Sequence, residues 1–454
     1  MDTLTTALRQ TGFADRVDRR RRRARSAYEP FPPDAGLPAA PDDAGDRLFR
    51  LLHDGTPAGD SLDPKLAKDL VVGDFADETL APARWELTAY RGLLAARDRA
   101  GQPGGGTVYL GEDSLRFVAT ILDAAPHGRA LDVGSGSGIT GCALARTADH
   151  VLSVDLLDEC RTATTLSATL NGLAHRVDAV RGRFQEVDLA GVRFNCLAAN
   201  LPYVPTPPGF AYSPAGNGGP DGLDAIRDLL GRGVDLLDPD DGMLVMRFQC
   251  LGHEGGPLLL DDLRGFAART GYDVVVVADG RVPYEVRAAL TATLATGLNP
   301  DRSPAELLDL SLAHLRGYHR PSYLACGLVA RSGGTGQVEF VDLSAPPVLD
   351  VPLTPTGPAA GLHAAREQVV AGYWYGSRDL PDGFWELADE THVEAPVARV
   401  AGLIEALADG VTVRDAAEQV FADLFAVDPL RARSLLVTTE LLAHQLLAAG
   451  LLTT

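Results

Sequence analysis

Leu131-Asp132-Val133-Gly134-Ser135-Gly136-Ser137-Gly138 is the stretch on which the reading of this chain turns. The apolar run Ala130–Val133 has the length and texture of a strand, and a helical pattern begins near Ile139. Three glycines at alternating positions let the backbone turn sharply and leave no Cβ between the loop and a ligand. The helix that follows presents free backbone N–H groups at its start. The dinucleotide fingerprint spaces its glycines G-x-G-x-x-G. Here the spacing is G-x-G-x-G with Asp132 ahead of it. A pyrophosphate needs no acid at that place; a cofactor carrying a cationic amino group does. Asp155 closes the next apolar run, 17 residues past Gly138, where a carboxylate can accept from both hydroxyls of a ribose.

A second motif, Asn200-Leu201-Pro202-Tyr203, directly follows the strand-like run Phe194–Ala199. That puts it at a strand's carboxyl end, where open α/β sheets bind ligands. An amide or aromatic amine nitrogen is a poor nucleophile because its lone pair is delocalised. The amide oxygen of Asn200 and the carbonyl of Leu201 can accept its two N–H bonds and draw it toward tetrahedral geometry, while Tyr203 lies against the planar face. The gain is chiefly one of orientation.

The glycine loop with Asp132 and Asp155 resembles motif I of the class I S-adenosylmethionine methyltransferases, D/E-x-G-x-G-x-G. The resemblance implies that Asp132, Gly134, Ser135, Gly136 and Gly138 line the methionine part of the cofactor, that Asp155 holds the ribose, and that Leu156 and Phe184 border the adenine. In these enzymes an acid after the third strand often caps the adenine amino group. The matching stretch here is Arg181-Gly182-Arg183-Phe184-Gln185-Glu186, with Arg183 in place of the acid and Gln185 next to accept the role. Asn200-Leu-Pro-Tyr-Val-Pro205 with Gly219-Pro-Asp-Gly-Leu-Asp224 is similar to the NPPYIP and G-x-D-G-L-D segments of the glutamine N5-methyltransferases that modify release factors. That match spans Leu131 to Phe248, about a quarter of the chain. Leu201 replaces the first proline; its carbonyl is retained, while the stiffness of a fixed φ is not. The flanks resemble an actinobacterial group of three-part methyltransferases, whose opening segment Tyr109-Leu-Gly-Glu-Asp-Ser114 matches.

The expected fold is α/β: a Rossmann-like core over 106–332, a helical N-terminal region over 1–105, and a mainly helical, winged-helix-like C-terminal domain over 333–454. In the N-terminal region, Leu48–Leu52, Leu66–Val72 and Trp85–Ala96 carry helix-like spacing. Core strands are predicted at Ala130–Val133, Val151–Asp155, Phe194–Ala199, Met243–Phe248, Val274–Val277 and Tyr323–Ala330. C-terminal helices are predicted at Val400–Leu407, Val413–Phe425 and Ala432–Leu447.

A net charge of −20 disfavours nucleic acid as partner, and the basic run Arg19–Arg25 reads as a solvated helix face. No long apolar run or signal-like segment is present, so a cytoplasmic location without membrane insertion is expected. Five scattered cysteines form no CxxC pair, which points to free buried thiols rather than disulfides or a metal site. Tyr212, His253, Tyr284, His314, Tyr318 and His319 lie on segments able to border a pocket.

These expectations amount to an S-adenosylmethionine-dependent methyltransferase acting on a nitrogen of an amide or amine acceptor, on a small molecule, a peptide or a protein, with a homodimer left open. Two alternatives stand beside it: a natural-product tailoring enzyme methylating oxygen or carbon, and a cofactor-binding scaffold without turnover.

Overall fold

The computed structural model describes residues 1–21, 44–99 except 56 and 58–61, 107–344 except 188, 190 and 254, 352–355, 402–423 except 408, and positions 436, 439, 443, 447, 452 and 453. At the N-terminal side, helices α1 (Asp2–Gln10), α2 (Phe13–Arg21), α3 (Ala44–Phe49) and α4 (Pro64–Val72) bury Leu4, Leu8, Phe13, Val17, Leu48, Leu66 and Leu70 in one cluster. The start of α4 is set locally. Asp63 accepts from the backbone N–H of Lys65 and Leu66 at 2.9 and 3.1 Å, and Pro64 occupies the first turn, where a missing N–H costs nothing.

The helix expected over Trp85–Ala96 is instead an antiparallel hairpin of β1 (Trp85–Tyr90) and β2 (Leu93–Asp98). Its two-residue turn holds Arg91 at φ 48° and Gly92 at φ 76°, the paired positive φ values that suit the twist of a hairpin. The period-two signal of a strand is missing from the sequence because both faces are covered. Trp85, Leu87, Ala89, Leu94 and Ala96 pack with the N-terminal helices, while Leu93 and Ala95 join a cluster with Ile139, Ala143 and Leu144.

Among the described residues nine strands build the central sheet: β3 (Arg129–Val133), β4 (His150–Asp155), β5 (Val177–Arg181), β6 (Cys196–Ala199), β7 (Met243–His253), β8 (Gly256–Pro257), β9 (Asp273–Pro283), β10 (Ser322–Arg331) and β11 (Val338–Asp342). The order is β11-β9-β10-β7-β6-β3-β4-β5, with β8 paired only to β7. Along this path all neighbours are parallel except β10, which is antiparallel to both β7 and β9. From β9 to β5 this is the Rossmann-like strand order of the class I methyltransferases. All six predicted strands are present. β6 is buried along its whole length, as a central parallel strand covered on both faces must be. β5 was not predicted: it is a sheet edge of five residues with Asp178 and Arg181 exposed, too short and polar to stand out. β11 falls on the C-terminal side of the expected 332/333 boundary and extends the central sheet.

Helices α5 (Glu112–Ala124), α6 (Ile139–Leu144), α7 (Asp158–Leu170), α8 (Asp224–Arg232) and α9 (Leu260–Thr270) cover the two faces. Between β9 and β10 the chain inserts α10 (Tyr284–Ala295) and α11 (Pro304–Arg316). A capping box of Ser303 and Glu306 starts α11. Tyr284 directly follows Pro283, the last residue of β9, so this helix pair springs from that strand's carboxyl end and packs with Phe210 and Tyr323.

All five cysteines are free and buried. Among the described residues no helix is long and apolar enough to cross a membrane. Toward the C-terminus, strands Thr354–Pro355 and Leu452–Thr453 pair antiparallel, residues 402–407 are helical, and Thr412 caps a helix over Val413–Val420. Positions 22–25 of the basic run, residues 356–401 and most of Ala432–Leu447 lie outside the described residues.

Candidate active site at the carboxyl ends of the strands

β3 delivers the glycine loop to the centre of the sheet. Gly134, Gly136 and Gly138 sit at φ 79°, 50° and 78°, a region that a Cβ penalises. Each glycine meets a different neighbour. A Cβ on Gly134 would stand 3.4 Å from Leu201 Cδ2 and 3.8 Å from the Asn200 carbonyl, and one on Gly136 would stand 3.5 Å from the Tyr109 carbonyl. A Cβ on Gly138 would overlap the Thr164 backbone in α7. The first two glycines therefore bring the loop against the Asn200–Tyr203 segment and the segment that begins at Tyr109, and the third docks the loop on a helix.

α7 supports the loop from below. Thr164 Oγ1 donates to Ser135 Oγ at 2.9 Å, and Ser167 Oγ donates to the Ser137 carbonyl at 2.7 Å. Ser167 Oγ also accepts from the Ala96 N–H at 3.0 Å, and the Asn171 amide bonds both the N–H and the carbonyl of Leu94, at 2.9 and 2.7 Å. The hairpin β1–β2 is thus tied to the helix that carries the loop.

The two acids that frame the loop behave differently. Asp155 is half-buried; its carboxylate accepts from the Gly136 N–H at 2.9 Å and the Leu157 N–H at 3.1 Å. A carboxylate has about four lone-pair directions, so acceptor capacity remains for hydroxyls. Leu156 beside it is half exposed, an apolar side chain held in the open next to the loop. Asp132 is fully buried under the loop, where Ser153 Oγ donates to it at 2.9 Å. Burial pushes its carboxyl up to about 7, the charge of Asp155 pushes the same way, and the Ser153 and Gly141 hydrogen bonds oppose them. Its side chain props the loop from beneath, against Ser153 and Gly141, rather than forming the loop's outer surface.

Past β5, Phe184 joins the core cluster with Val133, Val154 and Leu201. Gln185 donates to Asp228 in α8, and Arg183 lies 3.7 Å from Glu186 in an exposed pair.

The segment Asn200–Pro205 is clamped from three sides. Gly218-Gly219 pairs with it through Gly218 N to the Val204 carbonyl at 3.0 Å and Thr206 N to the Gly219 carbonyl at 2.8 Å. Gly222, at φ 82°, lies so close to the Tyr203 carbonyl that a side chain there would overlap it. From β10, the Tyr323 hydroxyl donates to that same carbonyl at 2.9 Å. The segments Asn200–Pro205 and Gly219–Asp224, separated along the chain, are therefore neighbours in space. Asn200 Nδ2 donates to Asp113 Oδ2 at 2.9 Å, while Asn200 Oδ1 is buried with no hydrogen-bond partner. An amide oxygen left so costs about 1–3 kcal/mol, a cost that a ligand's N–H recovers.

Of the other candidates, Tyr212, Tyr284 and Tyr318 pack with the α10–α11 cluster. His314 Nε2 lies 2.5 Å from the Pro220 carbonyl, and His319 sits exposed at φ 53° just before β10. His253 accepts from the Gly255 N–H at the end of β7. Sequence reading missed Asp113, Ser167 and Tyr323. Asp113 stands in the segment Tyr109–Ser114, but only tertiary contact reveals its partner.

The chain has known relatives. No family model matches it. A release factor glutamine methyltransferase of Moorella thermoacetica is 33% identical over 177 residues, covering 37% of this chain. The chain spans 61% of that relative's length. Among solved structures, the tRNA m1G37 methyltransferase of M. jannaschii is 14% identical with a TM-score of 0.35, over 61% of this chain and 68% of that one. A putative sarcosine dimethylglycine methyltransferase of Galdieria sulphuraria is 12% identical with a TM-score of 0.30, over 48% and 83%.

Proposed function

We propose that this chain is an S-adenosylmethionine-dependent methyltransferase that methylates the nitrogen of an amide or amine acceptor. The observation that carries the reading is the buried, unpartnered Oδ1 of Asn200, on a segment packed against Gly134 of the glycine loop. The sequence relation to a release factor glutamine methyltransferase supports the class of reaction. The net charge of −20 favours a small-molecule or peptide acceptor over nucleic acid.

The residues present fit the cofactor. Gly134, Ser135, Gly136 and Gly138 would hold its methionine part, the remaining acceptor capacity of Asp155 its ribose, and Leu156 with the edge of Phe184 its adenine. When bound, S-adenosylmethionine supplies an electrophilic methyl group on a sulfonium sulfur. The chain's own part is orientation. Asn200 Oδ1 and the Leu201 carbonyl accept the N–H bonds of the acceptor, and Tyr203 covers its planar face. Tyr323 and Gly222 hold the Tyr203 carbonyl and so keep this short segment rigid where Leu201 does not supply the stiffness of proline.

The first test is calorimetry with the cofactor and with its demethylated product; absence of heat with both ends the proposal. The second follows labelled methyl into protein, RNA and small-molecule fractions. Replacing Asn200 by Ala is expected to lower turnover by roughly 100-fold or more, the scale of losing one well-placed hydrogen-bonding group in a site, with affinity for the demethylated product unchanged. A fully active Asn200→Ala enzyme removes Asn200 as the acceptor's partner.

A further inference from the structure

The amide of Asn200 can be turned two ways, and its surroundings choose one. Asp113 is buried near the start of α5 and accepts at both carboxylate oxygens: Tyr109 Oη donates to Oδ1 at 2.8 Å and Asn200 Nδ2 donates to Oδ2 at 2.9 Å. An ionised carboxylate is an acceptor only, so it must face the NH2 end of the amide; the assignment follows from the network. The Oδ1 end is then turned away and left without a partner. Tyr109 in turn fixes the carboxylate plane, and its own backbone lies over Gly136 of the loop.

We propose that Tyr109 and Asp113 are positioning residues that lock the Asn200 amide with its oxygen toward the methyl acceptor, so that the site selects a neutral hydrogen-bond donor and rejects an anion. This rests on the reading of Asn200 as the acceptor's hydrogen-bond partner. It narrows the substrate class to a nitrogen that bears hydrogen, such as a primary amide. A carboxylate or phenolate meets only the lone pairs of Asn200 Oδ1 and the negative charge of Asp113 behind it. Because Oδ1 is out of solvent contact, a ligand reaches it only as the groups covering it give way.

Two measurements test the lock in the full-length chain. The side-chain NH2 signal of Asn200, assigned in 15N-labelled protein by its loss in Asn200→Asp, is expected to exchange slowly with solvent. In Asp113→Ala that protection should fall by at least about tenfold, the scale of losing one charge-assisted hydrogen bond. Unchanged protection overturns the proposal. In the second, protein saturated with the demethylated cofactor is titrated with N-acetylglutamine amide and with its isosteric acid, N-acetylglutamate amide. The parent is expected to favour the amide by about tenfold or more, and Asp113→Asn, which frees the amide to turn, should bring the ratio toward one. A parent with no preference, including one that binds neither probe, sinks the acceptor role of Asn200 and this proposal with it. A parent that prefers the amide, with a ratio unchanged in Asp113→Asn, sinks the lock alone.

Discussion

At the scale of the residue, Asp132 shows how one carboxyl serves a loop from beneath. Its folded-state value of about 7 lies above the 3.8 of a free aspartate, because burial disfavours the charged form. The folded chain therefore binds more protons than the unfolded chain between about pH 4 and 7, and stability from this group falls as pH rises through that window. The slope approaches about 1.4 kcal/mol per pH unit. Asn at this position keeps an acceptor for Ser153 and carries no charge. Asp132→Asn is thus expected to flatten the decline in stability between pH 5 and 8 and to be the more stable protein at pH 8. Denaturant unfolding of both proteins across that range checks it; parallel curves would refute it. Asn200 teaches a related lesson. Its place at the end of a strand was legible from the sequence, but which end of the amide is left without a partner depends on Asp113, 87 positions earlier.

At the scale of the element, the strand-turn-helix from β3 to α6 works through its glycines. Gly138 is held at φ 78° and has no room for a Cβ against Thr164. Gly191 has φ 74° with nothing within 4 Å. The pair separates backbone strain from close approach. Gly191→Ala is expected to cost only the strain, about 1 kcal/mol. Gly138→Ala adds displacement of α7 and is expected to cost more than about 2 kcal/mol and to weaken cofactor binding, read by thermal melting and calorimetry. Equal costs would show that the loop does not depend on its contact with α7. The same scale explains what the sequence concealed. β3, β6 and β7 announced themselves as apolar runs because strands paired in parallel and buried on both faces carry apolar residues throughout. β4, β9 and β10 did so through their Val- and Leu-rich stretches. β1 and β2 are also covered on both sides, yet they are antiparallel and joined by Arg91-Gly92, and their mixed pattern passed for a helix.

At the scale of the whole molecule, the N-terminal region is part of the support for the site. Cys160, Ala163 and Leu170 of α7 lie in one buried cluster with Leu4, Phe13, Trp85 and Leu94, and the hairpin is bonded to Ser167 and Asn171 of the same helix. A chain beginning at residue 107 would bare that apolar face and leave those polar groups unmatched. It is expected to be aggregation-prone and, where recovered, to bind a hydrophobic dye and show reduced cofactor affinity. A monomeric, cofactor-binding fragment would separate the N-terminal region from the site.

The sequence by itself determined the class of fold and the local form of the glycine loop. Glycine spacing, the acid at 155 and apolar strand runs are local constraints, set by steric and hydrogen-bonding needs within a few residues. The tertiary structure alone decided the orientation of the Asn200 amide, the clamping of the Tyr203 carbonyl by Tyr323 and Gly222, the burial of Asp132 and the docking of the hairpin on α7. Each of these depends on partners far apart along the chain, brought together when the sheet and its flanking helices pack, so no local pattern records them.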